Sequence, residues 1–457
     1  MTDRDLVVVS NRLPLQRARG GWELAAGGLV TALRPVVMRR TTMWVGWDGG
    51  DRRLPATLPG TEAALAPVPL SRSDARDYYD GFANASLWPL FHDLVGTPEF
   101  DRSWWEAYVR ANDAFAAATL EAGRQLDDPV YWVHDYHLML APGILRAKAP
   151  DAQVRFFLHI PWPAPELFSR LPWRAQILRG LLGADVVSFH TERYRKNFVR
   201  SCGRILEGEV TVRGKDIEYD GRLVRTIANP ISIDTDEFES TARSEAVEAV
   251  LARLREQFAG RAVLLGVDRL DYTKGIPERM AAFEQLLERR PDLEGRLALV
   301  QVAIPSRGNV EQYQQLRQQV EQLSGRINGR FTLPGADVPV HYLHRGVTRE
   351  QLMAYYRLAN MMLVTPLKDG MNLVSKEFAV VQHATGGEGA LVLSEFTGAV
   401  TELRGAVRCN PFDTEGMSRV IEQTLEVPAA ERRRNLATMA RRVRRHDIHR
   451  WAALELE

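Results

Sequence analysis

Two cations, Arg269 and Lys274, stand five positions apart in the stretch "VDRLDYTKGIPER", directly after an apolar run. Charged side chains at the carboxyl end of a parallel strand lie where α/β proteins hold their ligands. Two cations in that place suit a diphosphate, and they stabilise the negative charge that develops on a departing phosphate. The alternative is local salt bridging with Asp268, Asp271 and Glu278, which as surface ion pairs would contribute little.

A second stretch, "VTPLKDGMNLVSKEF" (364–378), has the pattern of a strand, a tight turn and a helix. Gly370 permits close approach of the backbone, and the start of the helix offers free amide groups and a positive dipole end to an anion. In the turn, Asp369 could hold sugar hydroxyls, and within the helix Glu377 could accept hydrogen bonds from a ribose. An ordinary strand–turn–helix connection is the alternative.

The N-terminal half carries comparable features. Arg12 follows the first strand-like run, and Gly27 and Gly28 precede an apolar helix, where paired glycines let a phosphate or a sugar approach the backbone. The spacing is not that of the dinucleotide-binding fingerprint, and the sequence contains no Walker A motif. A simple turn is the alternative for the glycine pair.

Asp135 ends another strand-like run in "WVHDYHLMLAP" and is flanked by His134 and His137. The two histidines suggest a metal site, but no third ligand is close in the sequence, and a strand–helix junction does not turn both rings to one face. We therefore expect no metal, and we interpret Asp135 as an acceptor for sugar hydroxyls or as an electrostatic group. His159 in "FFLHIPWP" follows the next strand and is either a ligand contact or a buried core histidine.

Three further side chains are candidates for ligand contacts. Tyr79 and Trp88 lie in an aromatic-rich segment whose rings could pack on a sugar or fill the core. Arg307 follows a strand-like run in the second half, where it could bind a phosphate through two hydrogen bonds.

The elements that must position these residues are short β-branched runs that alternate with longer helical patterns, which predicts parallel sheets with crossover helices. Strand-like runs begin near residues 6, 42, 129, 154 and 184 in the first half and near residues 262, 297, 340, 361 and 390 in the second. The predicted fold class is α/β, with two doubly wound, Rossmann-like domains facing a central cleft. We place the N-terminal domain at 1–232 and the C-terminal domain at 233–440, followed at 441–457 by a helix that returns to the N-terminal domain.

Composition narrows the class of protein further. The net charge of +1 gives no reason to expect a nucleic acid or a membrane surface as a partner. Cys202 and Cys409 are isolated in the sequence and have no metal-binding spacing, which indicates a reducing compartment. The first residues lack the basic and apolar regions of a signal peptide, so we expect a cytoplasmic location.

Taken in order, nine motifs resemble those of the trehalose-6-phosphate synthases: "SNRLP", "AGGL", "WVGWDG", "LWPLFH", "HDYHL", "FFLHIPWP", "VDRLDYTKGIPER", "PSRG" and "VTPLKDGMNLVSKE". That family comprises retaining glycosyltransferases of the GT-B fold, and the resemblance runs from about residue 6 to residue 451. It implies transfer of glucose from a nucleotide-diphosphate glucose to glucose 6-phosphate, both of them small-molecule substrates, without a cofactor. The resemblance also admits a homo-oligomer, and it implies a separate trehalose-phosphate phosphatase, because the fused phosphatase domain of some relatives is absent.

The resemblance further implies roles for single residues. The residues implied in acceptor binding are Arg12, Tyr79, Trp88, Asp135 and Arg307. The residues implied in donor binding are Gly27, Gly28, Arg269, Lys274, Val347, Asp369, Gly370, Met371, Asn372, Leu373, Val374 and Glu377. The expected catalytic residues are Asp135, His159, Arg269, Lys274 and Asp369. Trp88 and His159 match positions that the family uses in anomer selection.

One departure and two alternatives stay open at this point. In "YLHRGVTRE", Val347 stands where better-known relatives carry an aromatic residue near the nucleotide, so UDP-, GDP- and ADP-glucose are all admissible donors. A glucosylglycerol-phosphate synthase would share the donor and differ only in its acceptor. A sugar-phosphate sensor on the same fold would bind without turnover, although such a protein would be expected to lose some of the charged positions that this chain retains.

Overall fold

A computed structural model of the chain describes residues 5–18, 21–25, 28–38, 40–50, 54–94, 96, 98–306 and 311–457. The chain divides into two compact units. The first consists of Met1–Ile231 and Ile448–Glu457, and the second of Ser232–Asp447. Two predicted site residues, Gly27 and Arg307, lie outside the described residues.

The first unit is built on a mostly parallel sheet. Its described strands are β1 (Leu6–Arg12), β2 (Leu15–Ala18), β3 (Gly21–Leu24), β4 (Thr42–Trp47), β5 (Ala64–Val68), β6 (Val130–His134), β7 (Gln153–Leu158), β8 (Val186–Phe189), β9 (Val210–Arg213), β10 (Asp216–Tyr219) and β11 (Arg222–Ala228). Among the described residues the main sheet has the order β5-β4-β1-β6-β7-β8-β11-β10-β9, and β2 and β3 form a separate hairpin. Neighbours from β5 to β11 pair in parallel, whereas β10 and β9 add an antiparallel edge. The central strands are buried on both faces, which is why they read as continuous apolar runs.

The helices of the first unit connect these strands. They are α1 (Gly28–Val37), α2 (Arg72–Ala75), α3 (Trp88–Phe91), α4 (Arg102–Gly123), α5 (Ala141–Lys148), α6 (Pro165–Phe168), α7 (Arg174–Leu181) and α8 (Glu192–Ile205), with a 3₁₀ turn at Tyr136–Leu138. The helical stretch from Pro165 to Leu181 is interrupted between α6 and α7, where Pro172 lies. A π-helical segment, Arg76–Leu87, was not predicted from the sequence, and such segments are frequent at functional sites.

The second unit has a fully parallel sheet. Its described strands are β12 (Ala262–Arg269), β13 (Leu297–Ile304), β14 (Val340–Leu343), β15 (Met361–Val364), β16 (Ala390–Ser394) and β17 (Val407–Cys409), in the order β14-β13-β12-β15-β16-β17. Its described helices are α9 (Thr235–Ala242), α10 (Glu245–Gln257), α11 (Ile276–Arg289), α12 (Glu311–Phe331), α13 (Arg349–Leu358), α14 (Leu373–Ala384), α15 (Thr414–Glu426) and α16 (Ala429–Arg445). Short 3₁₀ turns lie at Tyr272–Lys274, Pro291–Leu293 and Gly398–Thr401. Local sequence sets the helix starts: Thr348 and Gln351, for example, form a reciprocal capping box at α13.

Among the parallel strands of each sheet, the strand order reverses at one point. Numbered along the chain, the parallel strands of the second unit run 3-2-1-4-5-6, and the order reverses between β12 and β15. The first unit has the same reversal between β1 and β6. Ligands of open α/β sheets bind outside the carboxyl ends of the strands at such a point. Arg12 ends β1, Asp135 follows β6, Lys274 follows β12 and Asp369 follows β15, so four predicted site residues lie at the two reversal points.

The chain passes from the first unit to the second at Ile231–Ser232, inside the stretch "TIANPISIDTDEF" (226–238). At the acidic end of this stretch, Asp234 caps α9 and accepts a hydrogen bond from the backbone N–H of Glu237. At the other end, α16 runs beyond residue 440, our predicted limit of the second domain, and the second unit extends to Asp447. A last helix, α17 (Ile448–Leu456), belongs to the first unit. The acceptor and donor roles of the two domains stay predictions.

The apolarity of the described helices and the burial of the two cysteines agree with what the composition indicates. Among the described residues, no helix combines the length and apolarity that crossing a membrane requires. Cys202 and Cys409 are free thiols in the interior. Burial raises the pKa of the Cys202 thiol well above its ordinary value, which disfavours the reactive thiolate.

Glu455 anchors α17 in the interior of the first unit, where its side chain is fully buried. Its Oε2 accepts a hydrogen bond from Ser188 Oγ at 2.7 Å, and its Oε1 accepts one from Asn229 Nδ2 at 2.6 Å. Burial raises the pKa of Glu455 to about 7, although these hydrogen bonds and the charge of Arg155 oppose the rise. The folded protein therefore holds the Glu455 proton more tightly than the unfolded chain does.

Glu455→Gln should remove a loss of stability that occurs as the pH rises. The carboxyl has an unfolded value of 4.5 and a folded value of about 7, so stability falls between these two pH values and stays reduced above them. At about pH 8 the Gln variant should therefore be more stable by roughly 1–3 kcal/mol, which corresponds to a Tm about 2–8 °C higher. Thermal unfolding across the pH range checks this, with the surface substitution Glu207→Gln as control. An equal gain below pH ~4.5 and at about pH 8 would contradict the assignment.

Candidate active site

Lys274 and Asp369 form an ion pair between the loops that follow β12 and β15. Lys274 Nζ lies 2.6 Å from Asp369 Oδ2, and the two side chains are 10% and 14% exposed. The pair thus lies at the reversal point of the sheet, largely removed from water, where electrostatic interactions are stronger than at the surface. A cation held there is suited to charge that develops on a phosphate.

The local salt bridges that were the alternative for Lys274 are not formed. Asp268 pairs with Arg279 at 2.6 Å. Asp271 accepts hydrogen bonds from the backbone N–H and the hydroxyl of Thr273, at 3.0 and 2.9 Å, and caps the turn that contains Lys274. Asp268 and Asp271 therefore organise the loop, whereas the ion-pair partner of Lys274 comes from the loop after β15.

Arg279 holds the loop that contains Lys274 through hydrogen bonds of its guanidinium. Its guanidinium is fully buried and donates to Asp268 Oδ2 at 2.6 Å and to Gln301 Oε1 at 2.7 Å. It also donates to Thr365 Oγ1 at 3.0 Å and to the backbone carbonyl of Lys274 at 3.3 Å. One side chain thereby ties β12, β13 and the residue that follows β15 to the backbone of Lys274. Sequence reasoning missed this role, although Arg279 stands inside the motif "GIPER" on an otherwise apolar helix face.

The two loops are also joined through their backbones. The N–H of Leu367 donates to the carbonyl of Thr273 at 2.8 Å. Gly275 has φ +62° and ψ 34°, and a Cβ at this position would lie 2.2 Å from the carbonyl oxygen of Thr365. Only glycine satisfies both the left-handed backbone and this close approach. The loops after β12 and β15 therefore act as one platform beneath the ion pair.

Gly275→Ala should destabilise the second unit and lower activity, because the added methyl would force the two loops apart. The left-handed backbone costs about 1–2 kcal/mol for alanine, and the clash with a backbone carbonyl adds to that. The matched control is Gly325→Ala, an exposed position in α12 with no atom near the new methyl, where we expect a gain of up to about 1 kcal/mol. Thermal unfolding and initial rates measure both variants. Equal stability of the two variants would contradict this description of the platform.

The start of α14 lies directly after Asp369. Asn372 caps the helix from a positive φ of 87°, and its Oδ1 accepts a hydrogen bond from the N–H of Ser375 at 3.1 Å. Its Nδ2 donates to Asp369 Oδ2 at 3.2 Å, so the cap and the ion pair share one oxygen. Among non-glycine residues Asn is one of the few that tolerates this backbone. The first turn of the helix contains Leu373 and Val374, and its free N–H groups suit an anion.

Glu377 is held by a hydrogen bond from Tyr356. The tyrosine is fully buried, and its hydroxyl donates to Glu377 Oε2 at 2.7 Å. Burial raises the pKa of Glu377, while the Tyr356 hydrogen bond and the charge of Arg349 oppose the rise. One carboxylate oxygen of Glu377 is therefore occupied inside the protein.

Arg12 lies between two aromatic rings in the first unit. Its guanidinium carbon is 4.7 Å from the centroid of the Trp47 ring and 5.1 Å from that of the Tyr79 ring. Cation–π contacts of this kind hold the side chain while its N–H groups stay available for hydrogen bonds. Arg12 itself is exposed, which fits the predicted contact with a phosphate.

Asp135 has a strained backbone at the end of β6. Its φ is +76° and its ψ is 167°, a conformation that non-glycine residues rarely adopt. Oδ1 accepts a hydrogen bond from the N–H of His159 at 3.2 Å, and its own N–H donates to the carbonyl of Phe157 at 2.8 Å. The strain is thus maintained by the neighbouring strand β7, and it brings Asp135 and His159 together.

An aromatic series connects the remaining predicted acceptor residues. Tyr79 stacks on His137 with the ring centroids 5.7 Å apart, and His137 packs on Tyr136 at 3.9 Å. Trp88 packs on Tyr136 at 5.6 Å and is only 4% exposed. Tyr79 lies in the π-helical segment, so that segment places it against both Arg12 and His137.

The predicted residues thus fall into two groups. Arg12, Tyr79, Trp88, Asp135 and His159 meet in the first unit. Lys274 and Asp369 meet in the second unit, with Gly370, Met371, Asn372, Leu373, Val374 and Glu377 following along the turn and α14.

Five further predicted donor or acceptor residues lie elsewhere along the chain or outside the described residues. Gly28 begins α1 in the first unit. Val347 is half-buried between β14 and α13, and Arg269 is exposed at the end of β12. Gly27 and Arg307 lie outside the described residues. The roles of all these residues stay predictions.

In the part of the chain that the structure describes, no group of three or more His, Cys, Asp or Glu side chains is placed to hold a metal ion. His134 instead contacts His159, with Nδ1 and Nε2 3.1 Å apart. His137 stacks on Tyr79, so the two histidines that flank Asp135 have different neighbours.

Comparison with known proteins places these observations in a family. The model of glycosyltransferase family 20 matches residues 4–456. The trehalose-6-phosphate synthase of Mycobacterium avium (strain 104) is 45% identical over 465 residues, which cover 98% of this chain and 94% of that protein. An α,α-trehalose-phosphate synthase (UDP-forming) from Burkholderia xenovorans, solved in complex with glucose-6-phosphate, has a TM-score of 0.89 and 33% identity, with 99% of each chain covered. A trehalose-6-phosphate synthase structure from a study of glycosyl transfer with retention has a TM-score of 0.88 and 35% identity, covering 99% of this chain and 98% of that one.

Two Rossmann-like units with charged residues at their strand reversals are the architecture of a glycosyltransferase of the GT-B fold, and the similarity to solved structures confirms the predicted fold class. The chain belongs to glycosyltransferase family 20. The family that the nine motifs indicated is therefore confirmed.

Proposed function

We propose that this chain is an α,α-trehalose-6-phosphate synthase that transfers glucose, with retention, from a nucleotide-diphosphate glucose to glucose 6-phosphate. The observation that carries the proposal is the Lys274–Asp369 pair at the strand reversal of the second unit, next to the N-terminus of α14. Such a place suits a diphosphate and a sugar bound side by side. The M. avium and B. xenovorans relatives carry the same activity in their names, which supports the assignment.

In the proposed reaction, Arg269 and Lys274 stabilise the charge on the departing nucleoside diphosphate. The acceptor hydroxyl attacks the anomeric carbon from the face that the diphosphate leaves, and an oxygen of the diphosphate takes the hydroxyl proton. The bond from the anomeric carbon to the diphosphate breaks as the new glycosidic bond forms. Retaining glycosidases instead use a carboxylate nucleophile. Asp369 is held by Lys274 and Asn372, which disfavours its attack on the sugar.

We assign the acceptor to the first unit. Arg12 supplies a cation for the phosphate of glucose 6-phosphate, Asp135 accepts from sugar hydroxyls, and Tyr79 supplies aromatic surface. Trp88, which is almost fully buried, supports the acceptor site by packing on Tyr136. Arg307 is proposed as a second phosphate contact on the strength of the motif "PSRG". Glu377 and the first turn of α14 are proposed to hold the ribose and the diphosphate of the donor.

A donor-by-acceptor assay tests the proposal. Purified protein is mixed with UDP-, GDP- or ADP-glucose and with glucose 6-phosphate, and both the released nucleotide and the disaccharide phosphate are measured. Formation of trehalose 6-phosphate with at least one donor is the expected result. Turnover with glycerol 3-phosphate but not with glucose 6-phosphate would favour a glucosylglycerol-phosphate synthase. Binding of both ligands without nucleotide release would favour a sensor.

Chelation of divalent metals should leave the turnover nearly unchanged, because Arg269 and Lys274 provide the positive charge that other transferases obtain from a metal. Initial rates with and without EDTA, after removal of free metal, check this expectation. Strict loss of activity with EDTA, restored by Mg²⁺ or Mn²⁺, would contradict it.

We propose the two substrates as the ligands of the protein. A separate phosphatase, a homo-oligomer and the cytoplasmic location stay predictions.

A further inference from the structure

His159, one of the expected catalytic residues, is paired with His134, for which the proposed reaction has no role. His134, at the end of β6, is fully buried, and its Nδ1 lies 3.1 Å from Nε2 of His159. His159 is half-buried beside Asp135. At this distance the two rings share one hydrogen bond, so one nitrogen donates and the other accepts.

The surroundings of His134 decide which nitrogen donates. Nε2 of His134 is buried and has no hydrogen-bond partner in the described part of the chain. A buried N–H without a partner is rarer than a buried acceptor without one. The His134 proton therefore belongs on Nδ1, from which it is donated to Nε2 of His159.

Both rings are neutral. Burial lowers the pKa of His134 to about 3. Burial also lowers the pKa of His159 well below its ordinary value, and the neighbouring His134 and His190 lower it further. A neutral His159 that accepts at Nε2 carries its own proton on Nδ1.

The backbone of His159 is held by two hydrogen bonds. Its N–H donates to Asp135 Oδ1 at 3.2 Å, and its carbonyl accepts a hydrogen bond from Nε2 of His190 at 3.1 Å. The rings of Phe157 and His190 pack against the His159 ring, and their centroids lie 4.6 and 5.6 Å from its centroid. The direction of the Nδ1–H bond is therefore set before any ligand arrives.

We propose that His134 is a positioning residue that fixes the tautomer of His159, so that His159 offers an Nδ1–H donor to an oxygen atom of the bound sugar and does not act as a base. The inference deepens the proposed function and rests on it, since that function supplies the sugar. His134 touches neither substrate in this scheme and acts only through His159.

Nuclear magnetic resonance of the intact protein with ¹⁵N-labelled histidine tests the tautomer directly. The His159 signals are identified by their absence from the His159→Asn variant. At neutral pH, Nδ1 of His159 should carry a proton and Nε2 of His159 should not. A proton on Nε2, or on both nitrogens, would overturn the proposal whatever the activity of the enzyme.

Kinetics test the consequence of the pairing. His134→Phe should lower kcat/KM by about tenfold, the value of one hydrogen bond at a site of reaction. His134→Asn, whose side-chain N–H can take the place of Nδ1–H, should lose less. In the His159→Asn background, His134→Phe should add less than about a twofold loss, because the residue through which it acts is gone.

The outcomes separate this proposal from the proposed function. Equal losses from His134→Phe with and without His159 would indicate a merely structural role and overturn the inference. If His134→Phe does not fold, the tautomer of the wild-type protein still decides. Wild-type protein without any turnover would reject the proposed function, whereas the NMR result would stand alone.

Discussion

Lys274→Ala should lower kcat by roughly 100- to 1,000-fold, the usual effect of removing one preorganised charge-stabilising group. Lys274 is placed in advance by Arg279, by the capped turn and by Asp369, so its charge needs no reorganisation as the diphosphate departs. Nucleotide release at saturating donor and acceptor measures the effect. Turnover close to that of the wild type would reject Lys274 as the leaving-group cation.

Loss of stability must be separated from loss of chemistry, because Lys274→Ala leaves Asp369 without its main partner in a largely buried place. The double variant Lys274→Met/Asp369→Asn removes both charges at nearly constant volume. It should recover thermal stability without recovering activity. Lys148→Ala, at an exposed position on α5, is the control and should leave both quantities unchanged.

Arg279→Met should destabilise the second unit by about 3–5 kcal/mol, because it leaves Asp268 as a buried charge without its partner. For a unit of this size that corresponds to a Tm lower by roughly 10 °C. Activity should fall as well, since the carbonyl of Lys274 and the hydroxyl of Thr365 lose a common donor. Thermal unfolding and initial rates below the transition temperature measure the two effects.

Two matched variants sharpen this expectation. Arg279→Met/Asp268→Asn removes the orphaned charge and should regain part of the stability, while the Lys274 loop still lacks its support. Arg419→Met breaks an exposed pair with Glu415 on α15 and should cost less than about 1 kcal/mol. If Arg279→Met were as mild as Arg419→Met, the buried guanidinium would not be the support that its hydrogen bonds indicate.

Much of the fold followed from local patterns. Each strand-like run that we identified overlaps a strand of the structure, because strands buried on both faces must be continuously apolar. The alternation of these runs with helical patterns predicted the parallel sheets. The strands β9 and β10 at the antiparallel end of the first sheet were not predicted, since partly exposed residues leave no continuous apolar signal.

The sequence and the tertiary structure each determined part of the site. The sequence by itself established the residue types at the strand ends, the glycine of the Lys274 turn and the motifs that indicate the family, because turn chemistry and charge placement are local. Only the tertiary structure decided that Lys274 pairs with Asp369, that Arg279 supports the loop, and that His134 meets His159. These contacts join segments that are far apart in the chain, and they form only when the order of parallel strands brings the strand ends together.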